Sequence, residues 1–134
     1  MVATPVVTCL IKHEGKILLL KRSGAVSTYQ GRWAGVSGYL KNNERPEQRA
    51  IKEIEEETGL IGSDVILKKT GDVVEVVDTD QNRTWLIHTF LFEATSNKIK
   101  LNEENERYVW IRPEQLKNYN TVPALDRVFK KLLH

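Results

Sequence analysis

GYLKNNERPEQRAIKEIEEETGL, residues 38–60, contains a helix with both ends marked. Pro46 suits the first helical turn, where its missing N–H costs nothing, and Gly59 suits the left-handed residue that ends a helix. Between them Ala50, Ile51, Ile54 and Thr58 recur at helical spacing, while Glu53, Glu56 and Glu57 lie on a different side. At about 100° per residue the three carboxylates fall within an arc of ~100°, centred roughly 100° or more from the middle of the apolar stripe. One face is therefore expected to pack on a core while the other presents three acids.

Those acids are poorly placed unless something positive binds them. Like charges at i, i+4 destabilise a helix by roughly 0.2–0.5 kcal/mol per pair. Glu55, Glu56 and Glu57 also crowd the C-terminal turn, where the helix dipole favours cations. A local conflict of this kind marks a candidate functional site. Oxygen-only ligands suit Mg²⁺ or Mn²⁺ and disfavour zinc, which prefers His or Cys. A divalent-metal site is the inference. A solvated acidic helix face is the alternative for EIEEE taken alone, and the neighbouring residues weigh against it.

Gly38, five residues, Glu44, seven residues, then Lys52-Glu53-Ile54-Glu55-Glu56-Glu57-Thr58-Gly59-Leu60 resembles the signature of the Nudix hydrolases. The likeness is to small, MutT-like members. The family cleaves substrates in which a nucleoside diphosphate is linked to another group. Every fixed position of its pattern matches except one, where Lys52 stands in place of Arg. The resemblance implies an α/β fold, an α/β/α sandwich around a mixed sheet. It places Glu53, Glu56, Glu57 and Lys52 in the catalytic machinery, with Glu53 or Glu56 as the candidate base. Glu53, Glu56 and Glu57 are implied as metal ligands, with Gly38 beside them as a backbone requirement. Glu44 is implied to support the loop and helix. Lysine keeps the charge of the missing Arg but is a point donor without the planar fork. Because the change leaves all three ligands in place, an active enzyme is expected.

The rest of the chain fits one compact domain spanning residues 1–134. Its 134 residues are enough to bury about two-thirds of the unfolded surface. A formal net charge of +2 gives no general attraction to nucleic acid. No apolar run approaches the ~20 residues of a membrane span, and the N-terminus reads as a strand rather than a signal peptide. Cys9 stands alone, so disulfides are not expected and the cytoplasm is the natural compartment. His13, His88 and His134 are too scattered for a metal cluster.

Strands are predicted near 5–12 and 16–22, joined by a tight turn at Glu14-Gly15, and near 34–40 before the acidic helix. Segments 64–77 and 84–94 read as a long hairpin around Asp78–Asn82, and this hairpin offers an edge for a homodimer. Another strand is predicted at Tyr108–Arg112, a short helix opening at Pro113, and a final helix over Ala124–Leu133. The approach to the signature (residues 16–22, Trp33 and 35–38) and the stretch 106–116 also look Nudix-like, so the resemblance spans the domain.

The resemblance implies a small-molecule nucleotide substrate. Arg22, at a strand end, could meet its phosphate; Trp33, Tyr39 and Trp85 could stack on its base. Glu104 and Glu106, in a second acidic cluster, could approach the metal or the catalytic water. A surface cation, ordinary packing and a solvated loop are the plainer readings of these residues. Around Val74–Val77 the chain lacks the Pro of many ADP-ribose hydrolases and the Tyr of dinucleoside polyphosphate hydrolases. By elimination a (deoxy)nucleoside triphosphate, cleaved to monophosphate and pyrophosphate, is the expected substrate. ADP-ribose or dinucleotide cleavage and a non-catalytic nucleotide sensor are the alternatives.

Overall fold

The computed structural model describes residues 1–133, so His134 lies outside the described residues. β1 (Val2–His13) turns through Glu14 and Gly15, both at positive φ, into β2 (Lys16–Arg22). Two adjacent residues at positive φ are what a tight hairpin turn between twisted strands demands. β3 (Trp33–Ala34) and β4 (Val36–Tyr39) precede α1 (Pro46–Thr58). A 3₁₀ turn at Gly62–Asp64 leads to β5 (Val65–Thr70), β6 (Val74–Asp78) and β7 (Arg83–Ala94). β8 (Asn105–Ile111), a 3₁₀ turn at Pro113–Asn118 and α2 (Leu125–Leu132) follow.

The sheet is mixed. β1 and β7 run parallel from Val2 beside Arg83 to Lys12 beside Glu93, and the other strand pairs are antiparallel. β1 also pairs with β4 through Val6–Cys9, and β2 pairs with β8. Strand alternation divides the core between two faces. Leu18 and Leu20 of β2 join Val7, Cys9, Ile11, Phe90 and Phe92 beneath Ala50 and Ile54 of α1. Ile17 and Leu19 join Leu10, Trp85, Ile87 and Ile111 beneath Leu125, Val128, Phe129 and Leu132 of α2. A helix covers each face, which is why the middle of β1 and β2 reads as unbroken apolar sequence. This is the expected α/β/α sandwich.

Two strand assignments and one residue's burial differ from the sequence reading. The segment 64–77 is two strands, both antiparallel to β7, with a break at residues 71–73. Thr89 crowds Gly71 there, and its hydroxyl donates to the Asp72 carbonyl at 2.9 Å. The strand expected near 34–40 divides at Gly35, where a Cβ would sit 2.8 Å from the Cys9 carbonyl oxygen. Ile51, assigned to the apolar stripe, is 43% exposed. No helix among the described residues is long and apolar enough to cross a membrane.

Candidate active site

α1 is set against the sheet by its two ends. At the start, the Gln48 side-chain oxygen accepts the Arg45 N–H at 3.3 Å, which satisfies a donor left free by the first turn. At the end, Gly59 takes φ 77°, and its N–H reaches the Glu55 carbonyl at 3.0 Å. Gly38 on β4 faces the middle of the helix, and any Cβ there would overlap the Glu53 carboxylate. The glycine is therefore a space requirement for that carboxylate to lie against the sheet.

The acids do not form the solvated face expected from the helical wheel. Glu53 is 7% exposed and Glu57 4% exposed, and only Glu56 of the three lies on the open side of the helix. One oxygen each from Glu53, Glu57 and Glu104 lie within 4.8 Å of one another. Glu104 comes from the segment just before β8, whose Asn105 pairs with Arg22 at the end of β2. The strand ends thus deliver Arg22, Glu104 and Asn105 to the last turns of α1. Asn105 donates its side-chain amide to Glu57 Oε1 at 3.1 Å, while Glu57 Oε2 is buried without a hydrogen-bond partner among the described residues.

Burial, then the neighbouring Glu53 charge, pushes the Glu57 carboxyl well above its ordinary pKa. Burial also raises Glu53, against the pull of a hydrogen bond from Arg49. Arg49 is buried, at 4% exposure. Its Nη1 donates to Glu53 Oε2 at 2.8 Å, and its Nε and Nη2 donate to the two oxygens of Glu44 at 3.0 and 2.8 Å. This pairing holds the Glu44 carboxyl down at about 2.

A cleft of about 520 Å³ opens beside the acids, with Glu53, Glu56, Glu57 and Glu104 on one wall. Arg22 reaches the same cleft, and its guanidinium donates to the Thr28 carbonyl and hydroxyl at 2.9 and 3.1 Å. Desolvation lowers the Arg22 pKa from its usual value. The lining also includes aromatic residues: the ring centroids of Tyr39 and Tyr29 lie 6.1 and 6.2 Å from that of Trp85. Trp85 Nε1–H donates to the Tyr29 oxygen at 2.9 Å, and the Tyr29 hydroxyl donates to Asp78. Burial and that acceptor push the Tyr29 pKa up to about 12.

Other residues singled out in the sequence lie elsewhere. Lys52 has a 61% exposed side chain, stands outside the cleft and approaches Glu44 Oε2 at 3.6 Å. Trp33 packs edge-on against Tyr119 away from the cleft, and Glu106 is exposed and also outside it. Conversely, Arg49, Asn105 and Tyr29 escaped the sequence reading. Arg49 had a signal, since it precedes Glu53 by four residues on one helix face. Tyr29 had none, because it sits in a polar loop with no periodicity.

The NUDIX domain model matches residues 2–132. The chain belongs to the Nudix family. It is an enzyme of the Nudix hydrolase class. A nucleoside triphosphatase NudI from Escherichia coli is 29% identical over 131 residues, covering 93% of each chain. Its counterpart from Shigella flexneri is 28% identical over the same length. Among solved structures, a MutT protein from Methanosarcina mazei Go1 superposes with TM-score 0.79 at 25% identity, over 96% of this chain and 91% of that one. A MutT NUDIX hydrolase from Burkholderia pseudomallei gives TM-score 0.79 at 22% identity over 98% of both chains, a likeness of fold. The acid cluster of this Nudix domain also passes a chemical test for a divalent ion: all donors are oxygens, and the buried Glu57 Oε2 lacks any other partner among the described residues.

Proposed function

We propose that this chain hydrolyses a (deoxy)nucleoside triphosphate to the monophosphate and pyrophosphate with Mg²⁺ or Mn²⁺. The observation that carries the reading is the meeting of three carboxylate oxygens, from Glu53, Glu57 and Glu104, beside a cleft lined by a cation and aromatic residues. Those three residues would hold the ion, with Glu56 at the open edge. The ion would neutralise the pyrophosphate oxyanions and lower the pKa of the attacking water.

The chain's own groups supply the rest. Arg22, already stripped of part of its water, attracts phosphate oxygens more strongly than a solvated surface cation. Tyr39 and Trp85 offer faces on which a base can stack. The cleft volume is in the range that holds a mononucleotide. Asn105 fixes one Glu57 oxygen and leaves the other for a ligand. The relatives named nucleoside triphosphatase support the choice of substrate class.

The test is product identity across a Mg²⁺-supplemented panel of NTPs, dNTPs, ADP-ribose and diadenosine polyphosphates. Glu53→Gln protein is run in parallel. Monophosphate plus pyrophosphate from a triphosphate, abolished by chelator and restored by Mg²⁺ or Mn²⁺, is the expected result. Cleavage confined to ADP-ribose or a dinucleotide would overturn the substrate class. Tight nucleotide binding without any product would make the chain a sensor.

A further inference from the structure

The family pattern puts an arginine where this chain has Lys52, yet the carboxylates around the helix are not left without a fork. Arg49, at a position the pattern leaves unspecified, is 4% exposed and spends Nε, Nη1 and Nη2 on Glu44 and Glu53. Lys52 follows it by three residues, so the two side chains share one side of the helix. Both approach the same atom, Glu44 Oε2: Arg49 at 2.8 Å and Lys52 at 3.6 Å. A cation at either position can therefore engage Glu44, but only the buried one binds it through two nitrogens and touches Glu53 as well.

We infer that Arg49 is a positioning residue that supplies, from one helical turn earlier, the guanidinium fork that an arginine at position 52 would otherwise bring. Glu44 anchors the fork: it accepts both Arg49 nitrogens and, through Oε1, the Lys41 N–H at 2.9 Å. The remaining arm, Nη1, holds Glu53 Oε2. This arm holds Glu53 in the space that the missing Cβ of Gly38 leaves open. A bidentate guanidinium fixes both the place and the plane of a carboxylate, whereas an ammonium fixes only a distance. Outer partners that orient a metal-binding carboxylate typically change affinity or activity by about 10–100-fold when removed. The Lys52 substitution is thus a relocation of the fork within the helix rather than its loss.

The inference rests on the proposed reaction only for its kinetic arm. The test compares wild type with Arg49→Met, Arg49→Lys, Lys52→Ala and the double variant Arg49→Met/Lys52→Arg. Each is read by Mn²⁺ affinity from electron paramagnetic resonance, by kcat and KM, and by circular dichroism and thermal melting for the fold. Arg49→Met is expected to weaken Mn²⁺ binding and lower kcat by about tenfold or more, with KM within about threefold. Arg49→Lys should fold like wild type and still lose most of that affinity, because charge without the fork does not orient Glu53. Lys52→Ala should cost less than Arg49→Met in both readouts, and the double variant should recover at least half of the Arg49→Met loss on a logarithmic scale. A folded Arg49→Lys protein with wild-type Mn²⁺ affinity would overturn the inference. So would a larger loss from Lys52→Ala, or a folded double variant no better than Arg49→Met alone. Absence of turnover in wild type would count against the proposed reaction, and the Mn²⁺ series would still decide the role of Arg49.

Discussion

The two helices on opposite faces of the sheet obey different rules. α2 buries Leu125, Val128, Phe129 and Leu132 and exposes Asp126, Arg127, Lys130 and Lys131. Its acid lies in the first turn and its lysines in the last, as the helix dipole favours. α1 buries Arg49, Glu53, Glu57 and Thr58 beside Ala50 and Ile54, and its last turn is acidic with no basic residue. One helix is a hydrophobic cover. The other places charged groups where burial works against them. Stability and site chemistry are thus divided between the faces.

That division can be broken by substitution. The largest effect is expected at α1. Glu53→Gln should lower turnover by about 10²–10⁴-fold, a range appropriate to losing a group that acts on the reacting centre. Its melting temperature without metal should stay within a few degrees of wild type. Turnover within a few-fold of wild type, measured with saturating Mg²⁺, would remove Glu53 from the chemistry. The mirror experiment is on α2. Phe129→Ala opens a cavity in the second core cluster and should cost about 3–5 kcal/mol in urea denaturation, while the folded protein keeps kcat within about threefold. A stable Phe129→Ala protein with lost activity would mean that the two faces are coupled.

The same division explains what could be read from sequence. α2 and the sheet were legible because apolar spacing reports burial directly: Leu125, Val128, Phe129 and Leu132 keep helical period, and β2 alternates between two cores. The ends of α1 were legible because Pro46 and Gly59 have few other uses. The helical wheel failed on α1 itself. It treats glutamate as a solvent marker, so Glu53 and Glu57 were assigned to an open face and Ile51 to a buried one. Nothing in a single helix reveals that Glu104 and Asn105, some fifty residues later, close over that side. The family resemblance makes Glu104 a candidate, but its meeting with Glu57 depends on the β2–β8 register. Arg49 is the instructive miss. Its position is one the family pattern leaves unspecified, and only the folded chain shows its guanidinium reaching both Glu44 and Glu53.

The smallest expected effect sharpens the comparison most, because it concerns stability alone. Burial raises the folded-state pKa of Glu57, and that of Glu53, above their ordinary values. Between the ordinary carboxyl pKa and the raised one, the folded protein holds more protons than the unfolded chain. Stability without metal must therefore fall as pH rises through that window, whereas acid loosens the paired Glu44 only as pH drops toward about 2. Metal-free protein should thus be more stable near pH 5 than near pH 7.5, the reverse of a domain whose acids are all paired. Glu57→Gln removes the buried charge and its partnerless oxygen anion, so it should stabilise metal-free protein at pH 7.5 by on the order of 1 kcal/mol, about 4 °C in Tm. The gain should shrink as pH falls and the carboxyl takes up its proton. Mg²⁺ should raise the Tm of wild type at pH 7.5 and leave that of Glu57→Gln nearly unmoved. Equal melting of the two proteins at both pH values would show that Glu57 is solvated in solution, and α1 would then be as ordinary a helix as α2.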